Sequence, residues 1–285
     1  MSTLPRWLRS GRVLTGLTIV GAIALIALFA PLIAPHDPNE QNLISTFLPP
    51  AWAKGGDAAF PFGTDSLGRC VLSRLIYGAR VAMTVAIVAS LGAMLIGAIL
   101  AHIAGYFGGW IDWLIGRTVE VWMSFPPVIL SLILMVGLGI GLRNVILAIV
   151  LVDWTRFCRV LRSEVLVVRR RDYVAAARLV GFSHWSTVTR EILPATLPLT
   201  ITLLSLEMGI AVIVEAILSF VGMSVGANTP AWGQMIADAR QYIYDSPWNL
   251  LLPILTIFVT VLGFNVLGDG LRRTLDVRLT ETQRA

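Results

Sequence analysis

Arg162-Ser-Glu-Val-Leu-Val-Val-Arg-Arg-Arg-Asp-Tyr-Val-Ala-Ala-Ala-Arg-Leu-Val-Gly181-Phe-Ser-His-Trp-Ser-Thr-Val-Thr-Arg-Glu-Ile-Leu-Pro194 separates two strongly apolar segments, and the side on which it lies sets the topology of everything around it. From Asp172 to Val180 the residues are helix-compatible, with small side chains in a row at Ala175, Ala176 and Ala177. Gly181 suits the left-handed position just past a helix C-terminus, where a Cβ would clash. Ser183 can cap a second helix, and Pro194 is expected to limit that helix before the next apolar run. The stretch predicts helix, sharp turn, helix, lying along a membrane surface.

Outward from this loop, apolar residues gather into six runs at 13–33, 81–104, 119–138, 145–161, 197–221 and 250–267. Runs of roughly 20 residues let an α-helix cross about 30 Å of hydrocarbon. With 56% hydrophobic and 14% charged residues, the 285-residue chain is too apolar for an ordinary soluble domain. The expected class is all-α, a polytopic membrane protein with six transmembrane helices. The fourth run is interrupted by Asp153 and Arg156, and Pro126 and Pro127 predict a kink or break in the third. The first run follows three arginines and imitates a secretory signal, but its length exceeds that of a signal core. Pro31 and Pro35 also stand where small residues would precede cleavage, so an uncleaved first span is expected.

Charge fixes the orientation. With the N-terminus inside, 16 of the 22 Lys and Arg fall on inner segments, including Arg162, Arg169, Arg170, Arg171, Arg178, Arg272 and Arg273. Lys54, Arg69, Arg74, Arg80, Arg143 and Arg240 remain outside. The positive-inside bias favours both termini in the cytoplasm, where the loop 162–194 also lies; five spans would move Arg272 and Arg273 outside. The same bias accounts for the basic pI near 9.8 without a nucleic-acid partner.

Several features carry two readings each. The outer segments 34–80 and 222–249 either meet a delivery protein or simply cover helix ends. Ala89, Ala93, Gly97, Ala101 and Gly105 form a small-residue stripe at four-residue spacing, suited equally to packing within the chain and to a subunit interface. Glu207 and Glu215 lie in the fifth run, eight residues apart and on one broad face, where pathway and packing roles are both open. Asp153 and Arg156, three apart, are expected to pair. His36, His102 and His184 are scattered, which gives no metal site, and Cys70 and Cys158 imply no disulfide. Gly222-Met-Ser-Val-Gly226 has the hydrolase G-x-S-x-G spacing without the strand, His or acid that such chemistry needs. No phosphate-cradling G-x-x-x-x-G-K-[ST] occurs. On the residues alone the basic inner loop suits either docking of a partner or topology.

Ala176-Ala177-x-x-x-Gly181 followed by Leu193-Pro194 resembles the EAA loop of binding-protein-dependent ABC importer permeases, with Ala175 at the usual glutamate position and Glu191 where an aliphatic residue is usual. Phe62-Gly-Thr-Asp-Ser-Leu-Gly-Arg69, Ser73-Arg-Leu-Ile-Tyr-Gly-Ala-Arg80, Gly105-Tyr-Phe-Gly-Gly-Trp-Ile-Asp112, Ser124-Phe-Pro-Pro127 and Trp232-Gly-Gln-Met235 narrow the resemblance. Together with Phe264-Asn-Val-Leu-Gly-Asp-Gly-Leu-Arg272, they point to the C-type subunits of the dipeptide, oligopeptide and nickel permease family. Cys70 replaces the acidic residue common after the Gly-Arg pair.

The resemblance implies a type I ABC importer permease fold. Residues 1–80 would form a cytoplasmic tail, first helix and outer loop; 81–272 a five-helix core containing the coupling loop; and 273–285 a cytoplasmic tail. It implies a bacterial inner-membrane protein that works with a second, B-type permease chain, one or two ATP-binding subunits and an extracytoplasmic solute-binding protein. Ala175, Ala176, Ala177, Arg178, Gly181, Phe182, Leu193 and Pro194 would couple to the ATPase, which alone would bind ATP and Mg. The chain itself would hold no cofactor and catalyse no reaction. Cargo would be di- or oligopeptides, with nickel, metal chelates or opine-like solutes as alternatives. A self-sufficient secondary transporter or channel, or a membrane-embedded enzyme, are the readings from other classes.

Overall fold

The computed structural model describes residues 10–226 and 228–275, and these form helices joined by loops, with one isolated bridge between Thr64 and Cys70. In chain order the helices are α1 (Gly11–Leu28), α2 (Ala30–Ile33), α3 (Val71–Phe107), α4 (Gly109–Met123), α5 (Pro127–Leu138) and α6 (Leu142–Val168). They continue as α7 (Asp172–Leu179), α8 (His184–Thr187), α9 (Leu193–Phe220), α10 (Trp232–Ala239) and α11 (Trp248–Leu275).

All six apolar runs are helical, but among the described residues length and apolarity sufficient to cross a membrane belong to four helices: α1, α3, the continuous helix His184–Phe220, and α11. A fifth crossing arises if α4 and α5 are taken together, although they meet at 88°. The break expected at Pro126 and Pro127 in the third run is therefore present. Pro126 and Pro127 supply no backbone donors, so the helix ends at Ser124 and a new one starts with proline in its first turn. The sixth segment, α6, has 27 residues, ample length at about 1.5 Å each. Arg143, Asp153, Arg156, Arg159, Arg162 and Glu164 make it too polar to pass as an apolar crossing.

Pro194 does not end its helix as expected. A π-helical turn over Val188–Ile192 joins α8 to α9, and widening the hydrogen-bond register there lets the chain pass the missing proline N–H without breaking.

The small-residue stripe resolves to packing within the chain. Ala89, Ala93 and Ala101 are fully buried against α6, and a Cβ on Gly97 would stand 2.5 Å from the Phe157 Cβ and the Trp154 carbonyl oxygen. Because lipid is as apolar as leucine, close backbone approach and dispersion hold such helices, not exclusion from water. α9 lies centrally: Val212 shares a cluster with Ile23, Val71, Trp232 and Phe264, while Val214 and Leu218 share another with Val85, Met135 and Ile149. α1 runs antiparallel to α11, where Gly270 meets Val13, and Gly268 of α11 meets Ser205 of α9. The start of α1 and the end of α11 thus lie at the end of the bundle that carries α7 and α8.

At the opposite end the two long loops pack together. Asn249 Nδ2 donates to the Thr64 carbonyl at 3.0 Å, Trp232 Nε1 to the Leu75 carbonyl at 3.0 Å, and the Phe47 and Tyr242 rings sit 4.8 Å apart. Arg69 pairs with Asp65 at 2.7 Å and approaches Asp238 at 3.6 Å. Burial pushes the Asp238 carboxyl above its usual range, opposed by the neighbouring Arg74 and Arg69. Cys70 and Cys158 are both buried and free.

Candidate coupling element and intramembrane charges

The helix, turn, helix shape expected between Asp172 and Pro194 is present as α7, the turn at Gly181 and α8. α7 closes with Gly181 at φ +96°, the Phe182 N–H donating to Ala177 O and the Gly181 N–H to Arg178 O, both at 3.1 Å. This six-to-one, five-to-two pair is a Schellman ending, which requires a residue free of Cβ strain at the left-handed position. Ser183 then caps α8, its Oγ accepting from the Ser186 N–H at 3.2 Å.

One side chain anchors α7. Val174 is buried among Tyr106, Val165, Val168 and Ile192, whereas Ala175 and Ala176 are exposed and Ala177 is half-buried. The bend carries an apolar crest: Leu179 is 89% exposed, Val180 81% and Trp185 77%. Three large apolar groups standing together in this way mark a contact surface more than a solvated turn. Phe182 is half-buried, and Leu193 and Pro194 lie where the π-turn enters α9.

Polar groups brace the element from behind. Arg178 Nη1 donates to the Phe182 carbonyl at 2.9 Å, closing over the turn. Arg178 Nη2 is 3.2 Å from His184 Nε2, and His184 Nδ1 is 2.8 Å from the Tyr106 hydroxyl. A guanidinium only donates, so His184 Nε2 accepts and its Nδ1 carries the proton toward Tyr106. The imidazole ring is thereby fixed in orientation between the turn and α3. The brace ties the turn to the end of α3, and no local spacing links Tyr106 to His184. Arg169 lies over the Tyr106 ring at 6.0 Å, beside a cleft of about 280 Å³ that also reaches Ala175.

Within the bundle, Asp153 and Arg156 approach as expected, at 3.9 Å, but the nearer partner of Arg156 is Glu207 at 3.2 Å. Asp153 and Glu207 are buried, while Arg156 is a third exposed, so two buried carboxyls share one cation at an accessible edge. Glu215 does not share this site. It is buried separately and accepts from Ser224 Oγ at 2.9 Å. That bond also explains the Gly222-Met-Ser-Val-Gly226 pattern. Gly222, at φ +80°, caps α9 with another Schellman ending, and Ser224 swings back onto Glu215.

Two further features escaped the sequence reading. Arg162 grips Asp112 with both arms of its guanidinium, Nη2 to Oδ2 at 2.6 Å, locking the start of α4 to α6 across 50 residues of chain. A cleft of about 440 Å³ opens between α4 and α6, lined by Glu120, Met123, Ser124, Arg159 and Arg162 among others. The arginine spacing of three on α6 was a visible signal; their carboxylate partners on α4 and α9 were not. Among the described residues no group of three metal-ligating side chains converges.

Comparison with known proteins agrees with this architecture. Residues 72–281 match the family described as binding-protein-dependent transport system inner membrane component, and residues 4–50 match the N-terminal TM domain of oligopeptide transport permease C. The dipeptide transport system permease protein DppC of Alkalihalophilus pseudofirmus is 38% identical over 93% of this chain and 86% of its own length. The di/tripeptide transport system permease protein DppC of Pseudomonas aeruginosa is 38% identical over 93% and 88%. The nickel transport system permease protein NikC of Escherichia coli is 38% identical over 92% and 93%. With a family match across most of its length and relatives covered almost end to end, the chain belongs to the binding-protein-dependent transport system inner membrane components, as an ABC importer permease of the type I fold.

Proposed function

We propose that this chain forms half of a translocation pathway for short peptides and takes its driving force from an ATP-binding subunit docked on the α7 to α8 turn. The observation that carries the docking is the apolar crest of Leu179, Val180 and Trp185, held on a turn of fixed geometry. Ala175, Ala176 and Ala177 beside it let a partner backbone come close. The partner binds ATP and Mg; motion of the crest is passed through Arg178, His184 and Tyr106 to α3, and through the π-turn to α9.

The arginine distribution supports a cytoplasmic position for the crest. The start of α1 and the end of α11 lie at the same end as the crest, which supports the reading that both termini are cytoplasmic. A second permease chain completes the pathway, and an extracytoplasmic binding protein delivers cargo to the packed outer loops. Peptide cargo is favoured by the dipeptide and di/tripeptide permeases among the relatives. A nickel permease of equal identity supports nickel or a metal chelate as the second reading.

Cysteines placed at Ala177 or Phe182 of the assembled importer are expected to crosslink to the ATP-binding subunit. ATP-dependent uptake of a labelled dipeptide, delivered by the binding protein, tests the cargo. Robust uptake by this chain with no ATP-binding subunit present overturns the reading.

A further inference from the structure

α6 presents three arginines at intervals of three, Arg156, Arg159 and Arg162, which lie along one side of the helix. The outer two are neutralised within the chain, Arg156 by Glu207 at 3.2 Å and Arg162 by the two-armed bond to Asp112. Arg159 has no carboxylate partner among the described residues. Its Nη1 points at the Met123 thioether, 3.8 Å away, a weak acceptor that leaves the charge unanswered. Glu120, in the same cleft, is engaged by Arg117 at 2.7 Å.

Arg159 is exposed into the cleft of about 440 Å³ at the break between α4 and α5, alongside Ser124 and Met123. That volume is in the range of small-molecule sites. Charged groups on membrane helices face a bundle interior or a water-filled space, so Glu120, Arg159 and Arg162 in its lining turn this cleft toward water and not against lipid tails. We infer that Arg159 is the contact in this chain for the terminal carboxylate of the passing peptide. Peptides of different sequence share only their two termini, and a guanidinium forks onto a carboxylate with two parallel bonds whatever the side chains are. An anionic oxygen from a lipid headgroup or from the second permease chain has the same chemistry; the closing experiment separates these sources from cargo. The inference rests on the peptide reading of the cargo.

The test uses the complete importer in liposomes, with Arg159→Gln, Arg159→Lys and Arg159→Glu. Three quantities are read: subunit stoichiometry, ATP hydrolysis stimulated by the loaded binding protein, and dialanine taken up per ATP. For Arg159→Gln, uptake per ATP is expected to fall about tenfold with assembly and ATP hydrolysis unchanged, as the loss of one charge-assisted contact would give. Arg159→Lys should keep most of the uptake, and Arg159→Glu should lose more than Arg159→Gln. Unchanged uptake per ATP in Arg159→Gln overturns the assignment, including the case in which the side chain merely holds a lipid phosphate. A complex that falls apart overturns it in favour of a carboxylate on the second permease. A wild-type importer that carries nickel ion but no dialanine overturns the cargo reading and this assignment with it, whereas wild-type dialanine uptake with an indifferent Arg159→Gln overturns this assignment alone.

Discussion

Replacing Gly181 by valine isolates the contribution of the turn from every other property of the coupling element. Gly181 sits at φ +96°, and a Cβ built there meets no atom within 4 Å, so the substitution introduces no clash with the rest of the protein. Its cost lies in the backbone. Holding an L-residue in the left-handed region costs about 1–2 kcal/mol, more for a β-branched side chain, and the two Schellman bonds are lost if the turn relaxes. The element is joined to the bundle by Val174 and by the His184 to Tyr106 bond, so the penalty is released by unwinding the end of α7, not by unfolding the helices. The crest of Leu179, Val180 and Trp185 then loses its fixed presentation. Purified Gly181→Val should insert and melt like wild type, yet bind its ATP-binding subunit about five- to thirtyfold more weakly, the ratio that 1–2 kcal/mol confers. Gly181→Asn, which tolerates left-handed backbone, should lie between the two. Titration of labelled ATP-binding subunit onto the permease pair in nanodiscs measures this. Wild-type affinity in Gly181→Val, or an order in which Asn is worse than Val, would refute the argument that the turn geometry presents the crest.

Other substitutions probe the bundle. Arg156→Gln leaves Asp153 and Glu207 buried without their cation, and should lower stability by about 2–3 kcal/mol, toward the lower end for a buried pair because Arg156 is partly exposed; adding Glu207→Gln should recover part of the loss in thermal melts. Gly97→Leu forces atoms into the 2.5 Å gap before Phe157, and should cost at least the upper end of about 1–3 kcal/mol, seen as lower yield and earlier aggregation in detergent. Ser224→Ala removes the donor that Glu215 uses and should destabilise by about 1–3 kcal/mol, with Glu215→Gln in the same background restoring part of the melting temperature.

The turn at Gly181 and the break at Ser124 were legible because both are local chemistry. A glycine past a run of helix formers, or two consecutive prolines, constrains φ and the donor supply within a few residues, whatever surrounds them. Pro194 shows where that logic ends. Its missing donor was read as a stop, yet a π-turn absorbed it, because packing of Ile192 and Val188 beneath the loop favours a continuous helix. Glu207 and Glu215 show the same limit. Helical spacing put them on one broad face, but their partners, Arg156 on α6 and Ser224 past the end of α9, separate them into two unrelated sites.

By itself the sequence determined that the chain lies in a membrane, which segments are helical, and the helix, turn, helix form of 172–187, since these depend on hydropathy, composition and short-range backbone preference. Only the tertiary structure decided that the small-residue stripe faces α6, that Arg162 belongs to Asp112, that His184 bridges Arg178 and Tyr106, and that Arg159 stands beside a cleft without a carboxylate among the described residues. Each of these depends on groups 50 or more residues apart, or on the lack of one nearby, and side-chain pairing at such separation is set by how the helices cross, which local periodicity does not encode.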